Sequence, residues 1–514
     1  MSDTIYLTTP LYYVNAEPHL GHTYTTVLVD TLARYHRSLG REVFFMTGTD
    51  EHGNKIAAAA AAHGTSPKEY ADRISAIFRS TWDACGITYD HFIRTTDDYH
   101  VRFVQQILRK VYEAGDIYFG EYGGKYCTGC ERFYTDRELV GGKCPDHQTE
   151  PEWIREENYF FRMSRYQDRL REHIERHEDF IRPAGYRNEV LAMLREPLED
   201  LCISRPKSRL SWGIELPFDR NYVTYVWFDA LINYLSGLEH AAAGRAQRLW
   251  RHANHFIAKD ILKPHAVFWP TMLMAAGYPL YEHLNVHGYW VMGESKMSKT
   301  LGNVIRPLEM KERFGMDAFR YFLLREMVFG MDAGFTEDAF ITRYNADLSN
   351  GLGNLVSRVL SMQHRYFGGR IQPLAGRMAS EDERLRQTFF DAESDMKRHM
   401  ESLSIHLALE RIWAALGECD KYIVETAPFK LAKQESERPR VGAILHVLCD
   451  ALRHAARLVG PFLPETAARM TAMLGVQSER LGDPAPAWGT TFEPGHEVAA
   501  PQPLFPRIDV GQQA

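Results

Sequence analysis

The sequence predicts an α/β fold in which a parallel sheet is split by an insertion and followed by an all-α domain. Three observations predict it. A strand pattern, a helical pattern and a second strand pattern follow one another between residues 4 and 48. Near residue 115 the chain becomes rich in glycine and cysteine, and an α/β pattern resumes near residue 222. From about 340 to 475 the apolar residues follow helical spacing, which predicts a helical bundle.

The first α/β unit sets the fold class. TIYLTTPLYYV is rich in β-branched and aromatic residues, which predicts a buried strand. Helical spacing follows at Tyr24, Val27, Leu28, Leu32 and Tyr35. Gly40 is a natural stop, EVFFMTG is the second strand, and TDEHG is the loop at its end. This unit indicates a Rossmann-like, doubly wound parallel sheet, in which ligands bind beyond the carboxyl ends of the strands.

Five segments are predicted along the chain. Residues 1–114 and 222–345 form the two halves of the Rossmann-like domain, and the second half carries the KMSKT sequence. Residues 115–221 form an insertion with clustered cysteines. Residues 346–480 form the helical domain, and residues 481–514 form a proline-rich C-terminal tail.

Composition narrows the class of protein. The 514 residues allow two to four domains, and 45% hydrophobic with 25% charged residues is ordinary for a globular chain. The sequence has no apolar run long enough for a membrane span, and its first residues lack a signal-peptide pattern. A net charge of -7 means that a nucleic-acid partner would need a local basic surface. Seven cysteines, three of them within residues 127–144, favour a cytosolic protein with a metal site over a disulfide framework.

The stretch PHLGHTYTTV, residues 18–27, places two imidazoles at a predicted helix start. His19 and His22 are three residues apart, so they share one face of the first turn. A helix N-terminus offers unpaired N–H groups to a phosphate, and Gly21 removes a side chain that would block close approach. The two histidines could then stabilise charge that develops on the phosphate. The alternative is a capped helix with two surface histidines.

The stretch ESKMSKTLGN, residues 294–303, is the second motif. Lys296 and Lys299 lie in a loop with several hydroxyl groups. Flexible ammonium groups there could follow a triphosphate and stabilise departing pyrophosphate. Taken alone, this loop could be a solvated turn. However, the lysine motif lies in the second half of the split fold and the histidine motif follows the first strand, so we interpret the two motifs together.

The cysteine cluster predicts a metal site. Cys127 and Cys130 form a C-x-x-C knuckle, and Cys144 with His147 forms a C-x-x-H knuckle. Four such ligands suit tetrahedral zinc, and they leave no open position for catalysis, so the metal would be structural. A disulfide or redox pair is the alternative.

These motifs resemble the two signature sequences of the class I aminoacyl-tRNA synthetases. The flanks TTPLYYVNAEPHLGH, TGTDEHG, YVWFDALINY and VHGYWVMGESKMSK resemble the bacterial type of the methionyl-tRNA synthetase family, and the resemblance runs from about residue 4 to 470. It implies ATP-dependent ligation of L-methionine to methionine tRNA through methionyl-adenylate, for protein synthesis and its initiation. Thr300 stands where the family commonly has serine, and the hydroxyl group is kept.

The resemblance also implies the site residues. Catalysis is assigned to His19, His22, Lys296 and Lys299, and these residues with Gly21, Lys259 and Asp260 are expected to contact ATP. The methionine pocket is expected to be lined by Leu11, Tyr13, Trp227, Ala230, Tyr234, Ile261 and His265. Asp50 matches the carboxylate that holds the substrate ammonium, and Arg205 matches a residue near the substrate carboxylate or the motif loops. Core packing is the alternative for the aromatic residues, although aromatic rings suit a thioether.

Anticodon contact is expected in the helical domain. Asn354 and Arg358 are four residues apart, hence on one helical face, and both side chains can bind base edges. By resemblance they match the family's anticodon signature. Phe429 stands where the family usually has tryptophan, so a ring for stacking remains and the indole N–H is lost. The alternative is that Phe429 is a core residue.

The resemblance completes the list of partners. It implies one structural Zn²⁺ per chain, Mg²⁺ with ATP, initiator and elongator methionine tRNA, a cytoplasmic location without membrane contact, and a monomer, because nothing after about residue 480 resembles the dimerising domain of longer relatives. One rival is an enzyme for another apolar amino acid, such as leucine or isoleucine, but those relatives carry a larger editing insertion. The other rival is a zinc-containing tRNA-binding or nucleotide-sensing protein without activity, against which the intact motif histidines and lysines argue.

Overall fold

A computed structural model describes residues 3–128, 132–134, 136–292, 295–296, 304–374, 378–484, 487–490, 492–493 and 495–509. Its strands are β1 (Thr4–Thr8), β2 (Tyr12–Tyr13), β3 (Glu42–Asp50), β4 (His91–Arg94), β5 (Ile117–Cys127), β6 (Arg132–Tyr134), β7 (Glu152–Phe161), β8 (Ile181–Arg182), β9 (Leu201–Cys202), β10 (Ser204–Pro206), β11 (Glu215–Leu216), β12 (Asp219–Thr224), β13 (Ala253–Ala258), β14 (His283–His287), β15 (Trp290–Met292), β16 (Ser295–Lys296) and β17 (Ala333–Gly334).

The helices alternate with these strands and then replace them. They are α1 (Leu20–Ser38), α2 (Asn54–Ala62), α3 (Pro67–Ala84), α4 (Asp98–Glu113), α5 (Gln167–Arg176), α6 (Ala184–Met193), α7 (Val226–Ala241), α8 (Ala246–Trp250), α9 (Trp269–Ala276), α10 (Pro307–Phe314), α11 (Met316–Glu326), α12 (Glu337–Arg343), α13 (Asn354–Phe367), α14 (Ser380–Glu401), α15 (Ile405–Thr426), α16 (Pro428–Leu431), α17 (Arg438–Val459) and α18 (Pro464–Leu474). Short 3₁₀ or π turns cover Lys259–Ile261, Pro264–Phe268 and Tyr344–Gly353.

The central sheet confirms the predicted fold class. Within the described residues it has seven strands in the order β2-β3-β1-β13-β14-β8, with β4 also paired to β3. All of these pairs are parallel. Neighbouring residues of a strand point to opposite faces, so Leu7 and Phe45 enter one apolar cluster while Tyr6 and Phe44 enter another. Both faces are therefore covered, as a doubly wound sheet requires.

The insertion contributes a strand to this sheet, and the sequence did not predict that pairing. Within it, β5 pairs antiparallel with β7 from Ile117 to Tyr126. Further along, β8 leaves the insertion and pairs parallel with β14, with Leu284 opposite Ile181. The insertion thus supplies the edge strand of the central sheet, and this pairing holds it close to the strands that carry the site.

The helical domain packs directly onto the sheet domain. Ile412, Leu416 and Ile423 lie in α15 and are buried, as their spacing predicts. At the junction the Arg320 guanidinium of α11 is 1% exposed and donates to Asp30 in α1 at 2.7 Å. It also donates to the Phe462 carbonyl at the corner between α17 and α18. One buried cation therefore joins the sheet domain to the helical domain.

The predicted tail also makes defined contacts. The Leu481 N–H donates to the Ser38 hydroxyl at 2.8 Å, and the Arg469 guanidinium donates to the Leu504 carbonyl at 3.0 Å. Among the described residues, none of the helices combines the length and apolarity needed to cross a bilayer.

Candidate active site

The carboxyl ends of four parallel strands form one edge of the sheet, where the sequence places both histidines and the TDEHG loop. The strands end at Thr8, Asp50, Ala258 and His287. Ligands of doubly wound sheets bind beyond this edge. The side chains that follow each strand are therefore the candidates for binding and catalysis.

The helix α1 begins at this edge with the two predicted histidines. The Gly21 N–H donates to Nδ1 of His19 at 3.1 Å, so His19 caps the helix. The rings of His19 and His22 stack with their centroids 3.8 Å apart. A Cβ on Gly21 would come 3.2 Å from the ring of His19, so a larger residue here would crowd that ring. His19 is the N-cap and only His22 lies in the first turn, so the two rings meet by stacking and not by sharing a face of that turn.

The flanks of the lysine motif lie against this helix start. The Leu20 N–H donates to the Ile305 carbonyl at 2.9 Å, just after the motif. Before the motif, β15 pairs with β16, so that Val291 lies opposite Lys296. Lys299 lies outside the described residues, and of Lys296 only the backbone is described. The chain after the motif is thus held at the start of α1.

Asp50 ends β3 inside the protein. It is 6% exposed, its carbonyl accepts from Val14 at 3.2 Å, and it lies opposite Tyr13 of β2. The next residue, Glu51, is fully buried and accepts from Nε of Arg94 at 2.7 Å. This ion pair fixes the loop that follows Asp50, while the pairing of β2 with β3 places Asp50 beside Tyr13 at the edge of the sheet.

A hydrogen-bonded chain of aromatic side chains lines the same edge. The Nδ1–H of His265 donates to the Ile261 carbonyl at 2.9 Å, so its Nε2 accepts from the Tyr234 hydroxyl at 2.8 Å. Burial lowers the pKa of His265 to about 4, which keeps the imidazole neutral. The ring of Tyr234 packs on His255, with centroids 4.2 Å apart. Burial also holds the pKa of His255 well below its usual range.

The other pocket residues join this group through packing. Leu11, Trp227 and Ile261 are half-buried and pack against the apolar cluster that contains Tyr234. Ala230 lies one helical turn before Tyr234 on α7 and is buried. Leu11, Trp227 and Ile261 therefore lie against one apolar cluster, whereas Tyr13 packs against the other.

Lys259 and Asp260 directly follow β13 at the edge. The Lys259 ammonium lies 2.8 and 2.7 Å from the two carboxylate oxygens of Asp332 and 4.6 Å above the ring of Tyr289. Asp260 is exposed. Asp332 also accepts a hydrogen bond from the Tyr289 N–H at 2.7 Å. It therefore holds the Lys259 side chain next to the backbone that follows β14.

Arg205 is buried at the end of the inserted part, in β10. Its guanidinium is 3% exposed, donates to the Ser204 carbonyl at 2.7 Å, and lies 5.1 Å from the Tyr126 ring and 4.4 Å from the Tyr225 ring. It lines a cavity of about 720 Å³ that Trp227 also lines. Arg205 and the predicted pocket residue Trp227 therefore line the same cavity.

A candidate metal site lies in the insertion. Cys127, Cys144 and His147 each offer a ligand atom, and these atoms lie within 4.8 Å of one another. The two cysteines are buried and the histidine is exposed. Two thiolates and an imidazole fit a soft divalent metal, so this donor set could hold one. Cys130, the fourth predicted ligand, lies outside the described residues.

The predicted anticodon residues lie on the helical domain. Asn354 is exposed at the start of α13, and Arg358 one turn later pairs with Asp420 of α15 at 3.2 Å. Phe429 lies in α16, which directly follows α15, and is 43% exposed. This exposure argues against the alternative that Phe429 is a core residue.

Comparisons with known proteins cover the whole chain. The family model for class I tRNA synthetases (M) matches residues 5–152 and 147–360, and the model for the anticodon binding domain of methionyl tRNA ligase matches residues 372–514. The methionine–tRNA ligase of Caldanaerobacter subterraneus subsp. tengcongensis is 44% identical over 515 residues, which span all of this chain and 80% of that protein. That of Deinococcus radiodurans is 44% identical over 510 residues, 98% of this chain and 74% of that protein.

The chain belongs to the methionyl-tRNA synthetase family. Its reaction is the ATP-dependent joining of methionine to tRNA through an adenylate. The structure of the Mycobacterium tuberculosis methionyl-tRNA synthetase in complex with methionyl-adenylate is 39% identical, has a TM-score of 0.92, and covers 98% of this chain and 99% of that one. The free form of that synthetase has a TM-score of 0.85. Both rivals, an enzyme for another amino acid and an inactive binding protein, are therefore set aside.

Several residues of the synthetase site were missed by sequence reasoning. Asp332 holds Lys259 but lies 73 positions further along the chain. His255 supports Tyr234, and Asp229 binds two buried histidines. No local pattern singled these residues out, because each acts through a partner that is distant in the sequence.

Proposed function

We propose that both steps of the synthetase reaction occur beyond the carboxyl edge of the central sheet, with the residues predicted from the sequence. The methionine carboxylate attacks the α-phosphate of ATP, the bond to the β-phosphate breaks, and methionyl-adenylate and pyrophosphate form. The terminal ribose hydroxyl of tRNA then attacks the acyl carbon and releases AMP. Such transfers depend on positioning and charge stabilisation rather than on a covalent nucleophile of the protein.

Charge stabilisation is assigned to the two motifs. His19 and His22 present stacked imidazoles at the N-terminus of α1, where backbone N–H groups also favour phosphate. Lys296 and Lys299 act on the pyrophosphate from the other side, and Mg²⁺ accompanies ATP. The hydrogen bond between Leu20 and Ile305 carries this proposal, because it holds the flank of the lysine motif at the histidine motif.

Methionine binding is assigned to the edge between β2, β3 and α7. Asp50 holds the substrate ammonium and lies opposite Tyr13. Tyr234, His265 and Ile261 form a connected wall, and the neutral imidazole suits an uncharged thioether side chain. Leu11, Trp227 and Ala230 complete the apolar lining. Gly21, Lys259 and Asp260 contact ATP. Arg205, in the insertion, lies near the substrate carboxylate or the motif loops.

Amino-acid specificity at this site can be tested directly. We expect pyrophosphate exchange into ATP with methionine, and no comparable exchange with leucine, isoleucine or valine. The measurement is ATP–pyrophosphate exchange for each amino acid at saturating ATP. Preferential exchange with another amino acid would contradict the assignment of the pocket, and no exchange with any amino acid would contradict the assignment of catalysis.

Zinc is proposed as a structural ion, one per chain, held by Cys127, Cys130, Cys144 and His147. Four protein ligands leave no open position, so the ion braces the insertion. Cys144→Ser should reduce bound zinc from one per chain toward zero and destabilise the insertion, because metal binding is coupled to folding. Elemental analysis and limited proteolysis measure both effects. Cys449→Ala, which removes a buried thiol of α17, should retain zinc, and a zinc-free Cys144→Ser enzyme that is folded and fully active would refute the proposal.

The anticodon surface is proposed at Asn354, Arg358 and Phe429. Recognition of a single-stranded loop combines stacking on rings with hydrogen bonds to base edges. Phe429→Ala should weaken tRNA charging by about 1–3 kcal/mol, the usual contribution of one stacked base. Pyrophosphate exchange and thermal stability should hardly change, because the ring is 43% exposed and lies on α16 of the helical domain.

Two variants sharpen this test. Phe429→Trp should maintain or strengthen tRNA charging, since it introduces the larger ring and the indole N–H that the family usually has at this position. Tyr112→Ala removes a ring of similar exposure, 41%, from α4 and should leave charging unchanged. A parallel loss of melting temperature, exchange and charging in Phe429→Ala would mean that the ring is needed for packing instead.

The remaining proposals concern the setting of the reaction. We propose that the synthetase acts in the cytoplasm as a monomer and charges both initiator and elongator methionine tRNA. The six cysteines among the described residues are all buried thiols, which suits a reducing compartment. Sedimentation of the pure protein tests the oligomeric state, and charging of the two purified tRNAs tests the breadth of the substrate.

A further inference from the structure

A fully buried carboxylate lies between two histidines next to the methionine pocket. Oδ2 of Asp229 is 2.6 Å from Nδ1 of His52, and its Oδ1 is 2.8 Å from Nε2 of His100. Asp229 and His100 are completely buried, and His52 is 6% exposed. An ionised carboxylate only accepts hydrogen bonds, so both imidazoles donate to it. The other nitrogen of His100 lies 2.6 Å from the Ser236 hydroxyl.

This network joins the two elements that shape the pocket. His52 lies two residues after Asp50, in the loop that follows β3. Asp229 lies in the first turn of α7, between Trp227 and Ala230. The contact therefore fixes the loop that carries the ammonium-binding carboxylate against the helix that carries the apolar wall.

A third segment, at Trp212, also contacts this loop. The Trp212 indole N–H donates to the Glu51 carbonyl at 2.5 Å, and the Gly53 N–H donates to the Trp212 carbonyl at 3.3 Å. The ring of Trp212 lies 5.3 Å from that of His52. His52 is thus held between Trp212 and Asp229, and its side chain provides the contact from this loop to α7.

The charge on Asp229 is retained despite its burial. Burial by itself would raise the pKa of this carboxyl, but the two histidines and their hydrogen bonds hold it below its usual range. A buried ionised group is costly unless it is paired in a defined geometry. Such a pair therefore restricts its partners to one arrangement, which is what a binding site built from two separate elements requires.

We infer that Asp229 is a positioning residue for methionine, which acts through His52 to set the place of Asp50 relative to Trp227, Ala230 and Tyr234. Asp229 does not contact the substrate in this role. The inference rests on the proposed function of Asp50 as the carboxylate that holds the substrate ammonium. Without the network, the loop and α7 would still fold. The distance and orientation between Asp50 and the apolar wall would no longer match the methionine molecule.

The test is Asp229→Asn in ATP–pyrophosphate exchange. The amide has one oxygen, so only one histidine can still donate to it. We expect the KM for methionine to rise about tenfold, since small displacements of binding groups are costly, while kcat and the KM for ATP stay nearly unchanged. His52→Ala removes the same contact from the loop side and should give the same KM effect, which provides a second variant if Asp229→Asn folds poorly.

A double-mutant cycle with Asp50→Ala decides whether the effect passes through Asp50. In the Asp50→Ala background, Asp229→Asn should weaken methionine binding no further. Additive losses, or a fall in kcat and melting temperature without a change in KM, would overturn the inference and assign Asp229 to stability alone. If Asp50→Ala by itself leaves methionine affinity unchanged, the proposed role of Asp50 fails, and the inference fails with it.

The matched control is Asp382→Asn. This carboxylate of α14 is equally buried and accepts from Tyr422 at 2.6 Å and from Arg440 at 2.7 Å in the helical domain. It should lower stability without moving the KM for methionine. A methionine KM that rises equally in Asp382→Asn would show a general effect of losing a buried carboxylate and would overturn the inference.

Discussion

Asp30→Asn is expected to lower the free energy of unfolding by about 3–5 kcal/mol, the usual result when one partner of a buried ion pair is removed. Asp30 is fully buried and accepts from Arg320 at 2.7 Å, from Nε of Arg34 at 2.7 Å and from the Thr88 N–H at 2.8 Å. Although burial by itself raises the pKa of Asp30, the two guanidinium groups lower it below its usual range. The variant leaves the Arg320 cation buried without its carboxylate.

Urea denaturation, followed by tryptophan fluorescence, measures this loss. The control is Asp168→Asn, which breaks an exposed pair with Arg171 at 3.1 Å and should cost less than about 1 kcal/mol. Because α1 carries both Asp30 and the histidine motif, pyrophosphate exchange should fall at temperatures where Asp30→Asn begins to unfold. Equal unfolding midpoints for the two variants would show that the buried pair contributes no more than a surface pair.

His22→Ala is expected to slow adenylate formation about 10²–10³-fold, the usual loss when a donor to a charged transition state is removed. In the proposed mechanism the imidazole acts on charge that develops as the pyrophosphate departs, so the affinity for methionine should remain nearly unchanged. Lys299→Ala should behave in the same way. Single-turnover measurement of adenylate formation, with methionine affinity from equilibrium binding, separates the two quantities.

Two further variants distinguish catalysis from packing at His22. Its ring lies 4.9 Å from Tyr12 and 5.4 Å from Phe78, so alanine also removes aromatic contacts. His22→Asn keeps a donor and should retain more activity than alanine, whereas a packing effect would make the two alike. His63→Ala, an exposed histidine after α2, should change nothing. An unchanged single-turnover rate in His22→Ala would remove this residue from the mechanism.

The local patterns of the sequence predicted the first helix and the strands around it, although TIYLTTPLYYV forms two short strands, β1 and β2, and β3 extends to Asp50 into the predicted loop. The helix from Leu20 to Ser38 and its stop before Gly40, which has a φ of +80°, follow from the spacing of apolar residues and from the glycine. The histidine motif and the C-x-x-H half of the metal cluster also depend on short spacing. Such features are set by residues within one or two turns, so they can be derived without knowing the path of the chain.

Long-range pairing could not be derived in this way. Nothing local to Ile181 shows that it lies opposite Leu284, because a two-residue strand carries almost no periodicity. The spacing of Arg205 likewise did not show that its guanidinium lies between Tyr126 and Tyr225 in the insertion. Both results depend on how the insertion folds back onto the sheet.

The sequence by itself determined the fold class, the two motifs and the chemistry that they can support, because each of these depends on residue type and short spacing. Only the tertiary structure decided which charged groups meet: Asp30 with Arg320, Lys259 with Asp332, and Asp229 with His52. The members of these pairs are separated by 290, 73 and 177 positions. A buried charge is stable only beside its partner, and the partner is chosen by the path of the whole chain.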